Sequence, residues 1–328
     1  MRSIIAVLPL LAIAVSARNC GNEHVPQKIM DNARMLNRLE QRPDARTLQN
    51  YLDETLVINT YMHVVSEDDT EKGGNIPEKK LMDQLDVLND NYKEAGVTFK
   101  LIEITRTVDK ELVDDSDEQG LAMKKKLRKG TYADLNLWAF TVERGTKLMQ
   151  PALHLGICVF PEDITPDSDT FWMDGCQCHS ETVPGGSFAP YDQGKTATHE
   201  IGHWLNLFHT FQGGCKGGDQ VDDTAPESSP AFGCPKGRDT CKGDDKLDPI
   251  ENFMDYTDDA CMFNFTAGQI TRIHSSFAQF RAKWISGEGE GTGEGEGEGE
   301  GEGEGTGEGD GEGEGEDSQI IPPRRRWW

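Results

Sequence analysis

The residues best suited to chemistry in this chain are three histidines and one glutamate: His199, Glu200, His203 and His209. On a helix, His199 and His203 are four residues apart, so both imidazoles leave the same face. This spacing suits two neutral ring nitrogens that bind one tetrahedral Zn²⁺ ion. Glu200, beside the first of them, can take a proton from a zinc-bound water. His209 is too far along to bind from the same helical turn, so the chain must bend before it.

A second motif, Asn252-Phe253-Met254-Asp255-Tyr256, looks like the Met-turn that follows HExxHxxGxxH in metzincin metallopeptidases, where the third histidine also binds zinc. The wider sequence resembles secreted fungal and bacterial members of the pappalysin family over most of residues 51–286. The matching segments are GGSFAPYDQGKTATHEIGHWLNLFHTFQGGC, GDQVDDTAPE, AFGCPKGRDTC and ENFMDYTDDACMFNFTAGQ. One departure is Asn206, where the family pattern has Gly. Asn is the other residue that best tolerates the positive φ expected at this bend.

The resemblance implies roles for residues outside the histidine motif. Tyr256 would stabilise the oxyanion of a tetrahedral intermediate, although a buried core tyrosine is the alternative. Met254 would pack beneath the zinc site without binding the metal. Cys20 resembles the pro-segment cysteine that caps zinc in some relatives, while a half-cystine is an equally good interpretation. Asp258 and Asp259 are candidates to line the pocket for the residue after the cut bond, which would favour Arg or Lys there.

An acidic loop follows the third histidine closely. Its candidate calcium ligands are Asp219, Asp222, Asp223, Thr224 and Glu227. Oxygen ligands at this density suit Ca²⁺, but the spacing is not that of an EF-hand. Pappalysin-like relatives carry calcium in the corresponding segment, so the resemblance implies a calcium site here. The alternative is a solvated acidic loop.

The eight cysteines are compatible with an oxidising compartment. The resemblance implies the disulfides Cys215–Cys241 and Cys234–Cys261. Of the remaining cysteines, we expect Cys158 to bond to Cys178 or, as an alternative, to Cys176.

The elements that must position these residues read as mixed α and β. Strand-like segments rich in Val, Ile, Leu and aromatic residues lie at 55–65, 97–104, 134–141 and 155–160. A helix between the first two has Pro77 at its start and Gly96 after its end. The last helix begins at Thr266, with Gln269 completing a capping box, and continues with a buried apolar stripe. The basic run 124–129 is predicted to be a solvated helix face.

The resemblance implies an α/β (α+β) fold of metzincin type. A twisted, mostly parallel mixed sheet would be supported by a backing helix and by an active-site helix over 199–206. A small, irregular C-terminal subdomain would hold the Met-turn and the final helix. The substrate would lie in the cleft between the two parts, paired with an edge strand from residues 174–184.

The composition divides the chain into five segments. We predict a signal peptide at 1–17, a pro-segment at 18–50, a metallopeptidase domain at 51–286, a Gly/Glu repeat at 287–317 and an Arg/Trp-rich tail at 318–328. The signal peptide has a short positive start, an apolar core and small residues at its end. In the predicted pro-segment, arginines recur at every fourth position: Arg34, Arg38, Arg42 and Arg46. This spacing indicates either one exposed face of a helix or a set of basic cleavage sites.

The formal net charge of −25 comes largely from the repeat, which holds 14 of the 58 acidic residues. Such a segment cannot bury apolar surface, so we predict that it is disordered. An acidic chain is a poor partner for nucleic acid. The Arg/Trp tail either contacts anionic surfaces or folds back onto the acidic repeat, and we favour the second interpretation.

These observations together predict a secreted zinc metalloendopeptidase, made as a zymogen, that hydrolyses peptide bonds of extracellular proteins. Its cofactors would be Zn²⁺ and, in the acidic loop, Ca²⁺. Two other classes remain open: a binding protein that keeps zinc without turnover, and a protein whose Arg/Trp tail is the effector. The intact Glu200 argues against the first of these.

Overall fold

The computed structural model describes residues 20–42, 55–113, 117–140, 154–243 and 245–285. The predicted signal peptide, the Gly/Glu repeat and the Arg/Trp tail lie outside the described residues, as do residues 43–50 of the predicted pro-segment. Within the described ranges, no helix is both long enough and apolar enough to cross a lipid bilayer.

A mixed sheet forms the centre of the fold. Its strands in the described residues are β1 (Leu56–Ser66), β2 (Val97–Val108), β3 (Leu135–Phe140), β4 (Gly156–Cys158) and β5 (Cys176–His179). Their order is β2-β1-β3-β5-β4, and only β4 runs antiparallel to its neighbour. β1 contributes Ile58 and Met62 to the main core and Val65 to a second cluster. Such burial on both faces is typical of parallel sheets, and the predicted α/β class is confirmed.

The edge of the sheet differs from the prediction. We expected the edge strand within residues 174–184, but β5 lies inside the sheet and the short β4 is outermost. The sequence pattern could not distinguish the two, because both segments are short and their order depends on which strands pair. The antiparallel register of β4 and β5 places Cys158 opposite Cys176, and these two residues form a disulfide. The bond from Cys158 to Cys178 is therefore wrong, because Cys178 lies opposite Gly156.

Helices cover the sheet and complete the C-terminal part. They are α1 (Gln27–Glu40), α2 (Glu78–Tyr92), α3 (Asp117–Leu127), α4 (Asp169–Met173), α5 (Lys195–Trp204), α6 (Gly214–Gly217) and α7 (Ala267–Ser276). Pro77 precedes α2, and Gly96 follows it with a φ of 65°, as predicted. α7 begins at the predicted capping box of Thr266 and Gln269. α2 and α5 pack against each other, and α5 also contacts β4 and β5.

The basic run at 124–129 is only partly the solvated face that we expected, because Lys125 and Lys126 are exposed but two other members are not. Lys124 and Arg128 are buried, and the Arg128 guanidinium donates to both the carboxylate and the backbone carbonyl of Asp174. Arg281 approaches the same Asp174 carboxylate from the C-terminal end of the chain, at 2.9 Å. The indole nitrogen of Trp204, the last residue of α5, donates to this carboxylate at 3.1 Å. Buried charges of this kind need partners from several elements, which a sequence pattern does not reveal.

The C-terminal subdomain is mostly irregular between α5 and α7. Two disulfides crosslink it, Cys215–Cys241 and Cys234–Cys261, which are the pairs implied by the resemblance. Along α7 and the helical segment that follows it, the predicted apolar stripe is buried at Ile273, Phe277, Phe280 and Trp284. The subdomain therefore depends on crosslinks and one helix rather than on a sheet of its own.

The described part of the predicted pro-segment contacts both halves of the fold. Cys20 forms a parallel bridge with Gly156 in β4, so this segment extends the sheet at its edge. α1 packs on α7. The buried residues of α1 are Ile29, Ala33 and Leu36. Its basic residues Arg34 and Arg38 are exposed, and so is Arg42.

Candidate metal centre

α5 places His199 and His203 on one face, and backbone carbonyls fix the orientation of both rings. His199 Nδ1 lies 2.7 Å from the carbonyl oxygen of Phe253, and His203 Nδ1 lies 2.8 Å from that of Leu207. A carbonyl oxygen can only accept, so each Nδ1 carries the proton and each Nε2 keeps its lone pair. Burial lowers the pKa of His203 to about 4, which keeps the ring neutral. Both rings therefore offer a ligand atom in the correct protonation state.

The predicted bend before His209 is formed by Asn206. α5 ends at Trp204, and Asn206 follows with a φ of 69°, the positive value expected for this position. The turn brings His209 Nε2 to within 3.2 Å of His203 Nε2. The ring of His209 stacks on Phe211, with an angle of 6° between the two planes.

Four side chains could hold a metal ion together. Ligand atoms from Cys20, His199, His203 and His209 all lie within 4.8 Å of one another, and all four residues are buried. Two ligands of one tetrahedral Zn²⁺ are expected about 3.3 Å apart, given Zn–N bonds of about 2.0–2.1 Å. The observed distance of 3.2 Å between His203 and His209 agrees with this value. Imidazole nitrogens with a thiol are also a donor set that zinc prefers, so the residues fit this metal.

Glu200 lies between the histidines and the edge strand. Its carboxylate is buried and accepts a contact from the Cys20 thiol, with Sγ and Oε2 3.4 Å apart. β4 passes so close that a Cβ atom on Gly156 would lie 2.5 Å from Glu200 Cγ. Only glycine fits at position 156 without moving the glutamate. This requirement was missed in the sequence, because an isolated glycine within a strand pattern has many explanations.

The Met-turn lies directly beneath α5. A Cβ atom on Gly202 would lie 2.4 Å from Met254 Sδ, so the glycine inside the HExxH motif makes room for the methionine. Met254 is completely buried. The adjacent Phe253 provides the carbonyl that holds His199. The Met-turn thus packs against α5 through the Met254 side chain and orients His199 through the Phe253 carbonyl.

Tyr256 points toward the same centre. Its ring lies 4.9 Å from that of His209, and its hydroxyl oxygen accepts from the backbone N–H of Cys20 at 3.2 Å. Burial raises the pKa of Tyr256 well above its ordinary value, so the hydroxyl stays protonated and can donate. Phe211 packs edge-on against the ring at 4.9 Å.

The calcium candidates do not form one cluster. Asp219 and Thr224 are buried beside each other, and burial raises the pKa of Asp219 to about 7. Asp219 Oδ2 and the Thr224 hydroxyl oxygen have no hydrogen-bond partner of normal geometry. Asp222, in contrast, is exposed and accepts from Asn37 and Gln41 of the predicted pro-segment.

Glu227 and Asp259, two other predicted site residues, also bind other parts of the protein. Glu227 pairs with Arg238 and accepts from the hydroxyl of Thr210 at 2.8 Å. Asp259 is buried, and its Oδ2 accepts from the backbone N–H of Gln193 at 2.9 Å. The structure therefore brings Asp219 and Thr224 together, but neither Asp222 nor Glu227 joins them.

The comparisons with known proteins concern the same residues. The sequence model of the family described as Pregnancy-associated plasma protein-A matches residues 188–278, which contain all three histidines and the Met-turn. Extracellular metalloprotease 1 of Coccidioides posadasii is 45% identical over 289 residues, covering 86% of this chain and 99% of the relative. An extracellular metalloprotease of Colletotrichum graminicola is 46% identical over 70% of this chain and 78% of its own length.

Solved structures of similar fold come from Tannerella forsythia. Mature mirolysin in complex with a cleaved peptide is 29% identical with a TM-score of 0.56, covering 68% of this chain and 92% of mirolysin. A promirolysin mutant is 26% identical with a TM-score of 0.62, covering 79% of this chain and 94% of promirolysin. The similarity to the pro form thus extends over more of this chain than the similarity to the mature form.

Proposed function

Because the chain belongs to the pappalysin family of zinc metalloendopeptidases, we propose that His199, His203 and His209 bind the catalytic zinc ion and that Glu200 is the general base. The three imidazoles converge on one point together with the Cys20 thiol, which also contacts the Glu200 carboxylate. This convergence is the main support for the proposal. Each ring of α5 is already held in the tautomer that a metal requires.

Glu200 and Tyr256 would have different roles in peptide hydrolysis. When bound, zinc supplies a Lewis acid that polarises the scissile carbonyl and lowers the pKa of water. Glu200 takes the proton of the attacking water and then passes it to the leaving amine. Tyr256, protonated and beside His209, donates a hydrogen bond to the oxyanion, a contribution of about 3 kcal/mol for a well-placed donor. Its hydroxyl now faces Cys20, in the position that a substrate would take.

We further propose that the described form is latent. The Cys20 thiol lies among the zinc-binding histidines and contacts the proposed general base at 3.4 Å, so it would occupy the place of water. Residues 18–50 would then be a pro-segment removed before activity, ahead of a catalytic domain at 51–286. The wider similarity to promirolysin than to mature mirolysin supports this division.

Extracellular proteins are the proposed substrates, and secretion is the proposed fate of the chain. Relatives at 45–46% identity are described as extracellular metalloproteases. Three disulfides in the described residues suit an oxidising compartment. A structural neighbour binds a cleaved peptide, which supports an extended polypeptide as the ligand of the cleft.

A calcium ion at Asp219 and Thr224 is a separate proposal. A buried carboxylate oxygen and a hydroxyl oxygen without normal hydrogen bonds are the oxygen donors that this ion prefers. We expect chelation with EGTA to lower the melting temperature of the full chain, and Asp219→Asn to remove this calcium dependence. Equal melting curves with and without calcium in the wild type would contradict the site.

The function is tested with the processed protein, which lacks the proposed pro-segment, on casein and a fluorogenic peptide library. Glu200→Gln should retain stoichiometric zinc and lose at least a thousandfold in kcat, and a zinc chelator should abolish the wild-type activity. Glu94→Gln, at an exposed position away from the cleft, is the matched control. Stoichiometric zinc without cleavage in the processed wild type would refute the peptidase assignment.

A further inference from the structure

Gln212 connects the third histidine to the polypeptide that lies in the cleft. Its Oε1 accepts from the backbone N–H of His209 at 2.8 Å. Its Nε2 donates to two successive carbonyl oxygens of the pro-segment, at 2.8 Å to Asn22 and at 3.2 Å to Glu23. Because a backbone N–H can only donate, the first bond fixes which end of the amide is the oxygen. The NH₂ group therefore has to face the cleft.

The contacts of the pro-segment in the cleft are of two kinds. Some depend on its particular side chains: the Cys20 thiol meets Glu200, and the Asn22 amide donates to the Cys158 carbonyl at 2.9 Å. Others involve only its backbone. The N–H of Gly21 donates to the carbonyl of Gly156 at 3.0 Å, and Gln212 binds carbonyl oxygens.

Groups that bind only the backbone can bind a peptide of any sequence. The Gly156 carbonyl belongs to β4, and the Gln212 amide belongs to the segment after His209. A polypeptide in the cleft thus meets an acceptor on one element and a donor on another, and both of these elements also contact the proposed zinc site. An endopeptidase needs such contacts, because they position the chain without restricting its side chains.

We propose that Gln212 is a substrate-binding residue that donates to a backbone carbonyl of the peptide once the pro-segment has left. The carbonyls that it now holds belong to the second and third residues after Cys20, so the contact should lie two to three residues from the scissile bond. This inference rests on the proposed function, since it assumes that the cleft binds peptide substrates. It names a contact that the zinc-binding motif and the Met-turn do not contain.

The test compares Gln212→Glu with the wild type on substrates of graded length. The carboxylate keeps an oxygen for the His209 N–H and replaces the NH₂ donor with a second acceptor. Peptides would be shortened one residue at a time from each end. For the longest peptides, we expect kcat/KM to fall about tenfold, mostly through KM, because one hydrogen bond to a carbonyl is lost and a repulsion is added.

The loss should disappear once the peptide is too short to reach Gln212, and zinc content should be unchanged. Gln279→Glu, at an exposed position on the C-terminal helical segment, adds the same charge as a control. A loss of equal size for all lengths, or a loss of zinc, would mean that Gln212 only supports His209 and would overturn the proposal. Wild-type kinetics in Gln212→Glu would overturn it too.

A binding measurement distinguishes failure of the proposed Gln212 contact from failure of the proposed peptidase function. A synthetic peptide of residues 20–26 should bind the processed wild-type chain at least several-fold more tightly than the processed Gln212→Glu variant. If the wild type binds this peptide but cleaves nothing, the peptidase assignment fails while the peptide contact stands. Equal binding of the peptide to both proteins would contradict the proposed role of Gln212, even if the enzyme is active.

Discussion

At the scale of single residues, Gly202 is as informative as the histidines around it. It has no Cβ atom, and a Cβ at this position would lie 2.4 Å from the Met254 sulfur. The helix and the Met-turn can touch only because position 202 is glycine. The cost is a weaker helix, since glycine in a helix is less favourable than alanine by about 1 kcal/mol.

We expect Gly202→Ala to be destabilising despite this gain in helix propensity. The overlap with the enclosed Met254 should cost about 1–3 kcal/mol, which exceeds the gain. Gly120→Ala in α3 is the matched control, because a Cβ there would meet nothing within 4 Å. The control should gain about 0.5–1 kcal/mol. Urea unfolding measures both, and stabilisation by both substitutions would contradict this account.

A buried histidine outside the metal centre predicts how stability depends on pH. His63 lies between Thr105 and Asn136, at 2.7 and 2.9 Å, and burial lowers its pKa to about 4. In the unfolded chain its ordinary value of 6.5 applies, so the unfolded state binds more protons between these two values. Its stabilising contribution is therefore complete above pH 6.5 and is lost as the pH falls toward 4.

The expected loss from this group between pH 7 and pH 4.5 is about 2–3 kcal/mol. His63→Gln has no titrating ring, so its unfolding free energy should fall less over the same range than that of the wild type. Chemical denaturation at the two pH values measures the difference. Parallel losses in both proteins would show that another group accounts for the pH dependence.

At the scale of elements, α1 is held on the C-terminal subdomain by a buried ion pair. Arg272 binds the Glu40 carboxylate at 2.8 and 3.0 Å and also donates to the Gln220 carbonyl at 2.7 Å. Ser275 adds a hydrogen bond to the same carboxylate. Arg272 is fully buried under α1, so α1 satisfies a charge that would otherwise be exposed. The proposed latency would therefore depend on the helix as well as on Cys20.

We expect Glu40→Gln to loosen the pro-segment, because it leaves Arg272 without its charged partner. Removing one partner of a buried pair typically costs at least 2 kcal/mol, so opening should be more than tenfold more frequent. The rate at which Cys20 is alkylated in the full chain reports this opening. Glu94→Gln, at an exposed site, is the control, and an unchanged alkylation rate in Glu40→Gln would limit latency to the cysteine contacts.

At the scale of the whole molecule, Asp174 connects three distant parts of the chain. It precedes β5, and its carboxylate binds Arg128 after α3 and Arg281 after α7. The Arg281 guanidinium also lies 3.6 Å above the ring of Trp204, at the end of α5. Although burial alone would raise it, the two guanidinium groups lower the pKa of Asp174. The network therefore joins the sheet, the histidine-bearing helix and the last helix.

Asp174→Asn should destabilise the fold by about 3–5 kcal/mol, because two buried guanidinium groups lose their counter-charge. Asp163→Asn is the control, since Asp163 pairs with Lys283 at the surface, where a pair contributes at most about 1 kcal/mol. Thermal and urea unfolding of the full chain compare them. Similar stabilities for the two variants would mean that the buried network contributes little.

Much of the fold could be predicted from local pattern. Features that depend on residues close in sequence can be predicted from the sequence pattern. They include the strands β1 to β4, the caps of α2 and α7, and the positive φ of Asn206. The order of β4 and β5 and the choice of Cys176 over Cys178 could not be found in this way. Both depend on which strand pairs with which, and several pairings satisfy the same pattern.

Local spacing was enough to predict the zinc chemistry, because residues four apart on one helix must share a face whatever surrounds the helix. It also indicated the bend and the Met-turn. The residues that contact this centre depend on the packed fold: Cys20 reaches Glu200 across 180 residues, and Gln212 reaches Asn22 across 190. The packed fold likewise paired Asp222 with residues of α1 and its end, and Glu227 with Arg238. Such contacts depend on how separate elements pack, and no spacing along the chain encodes that packing.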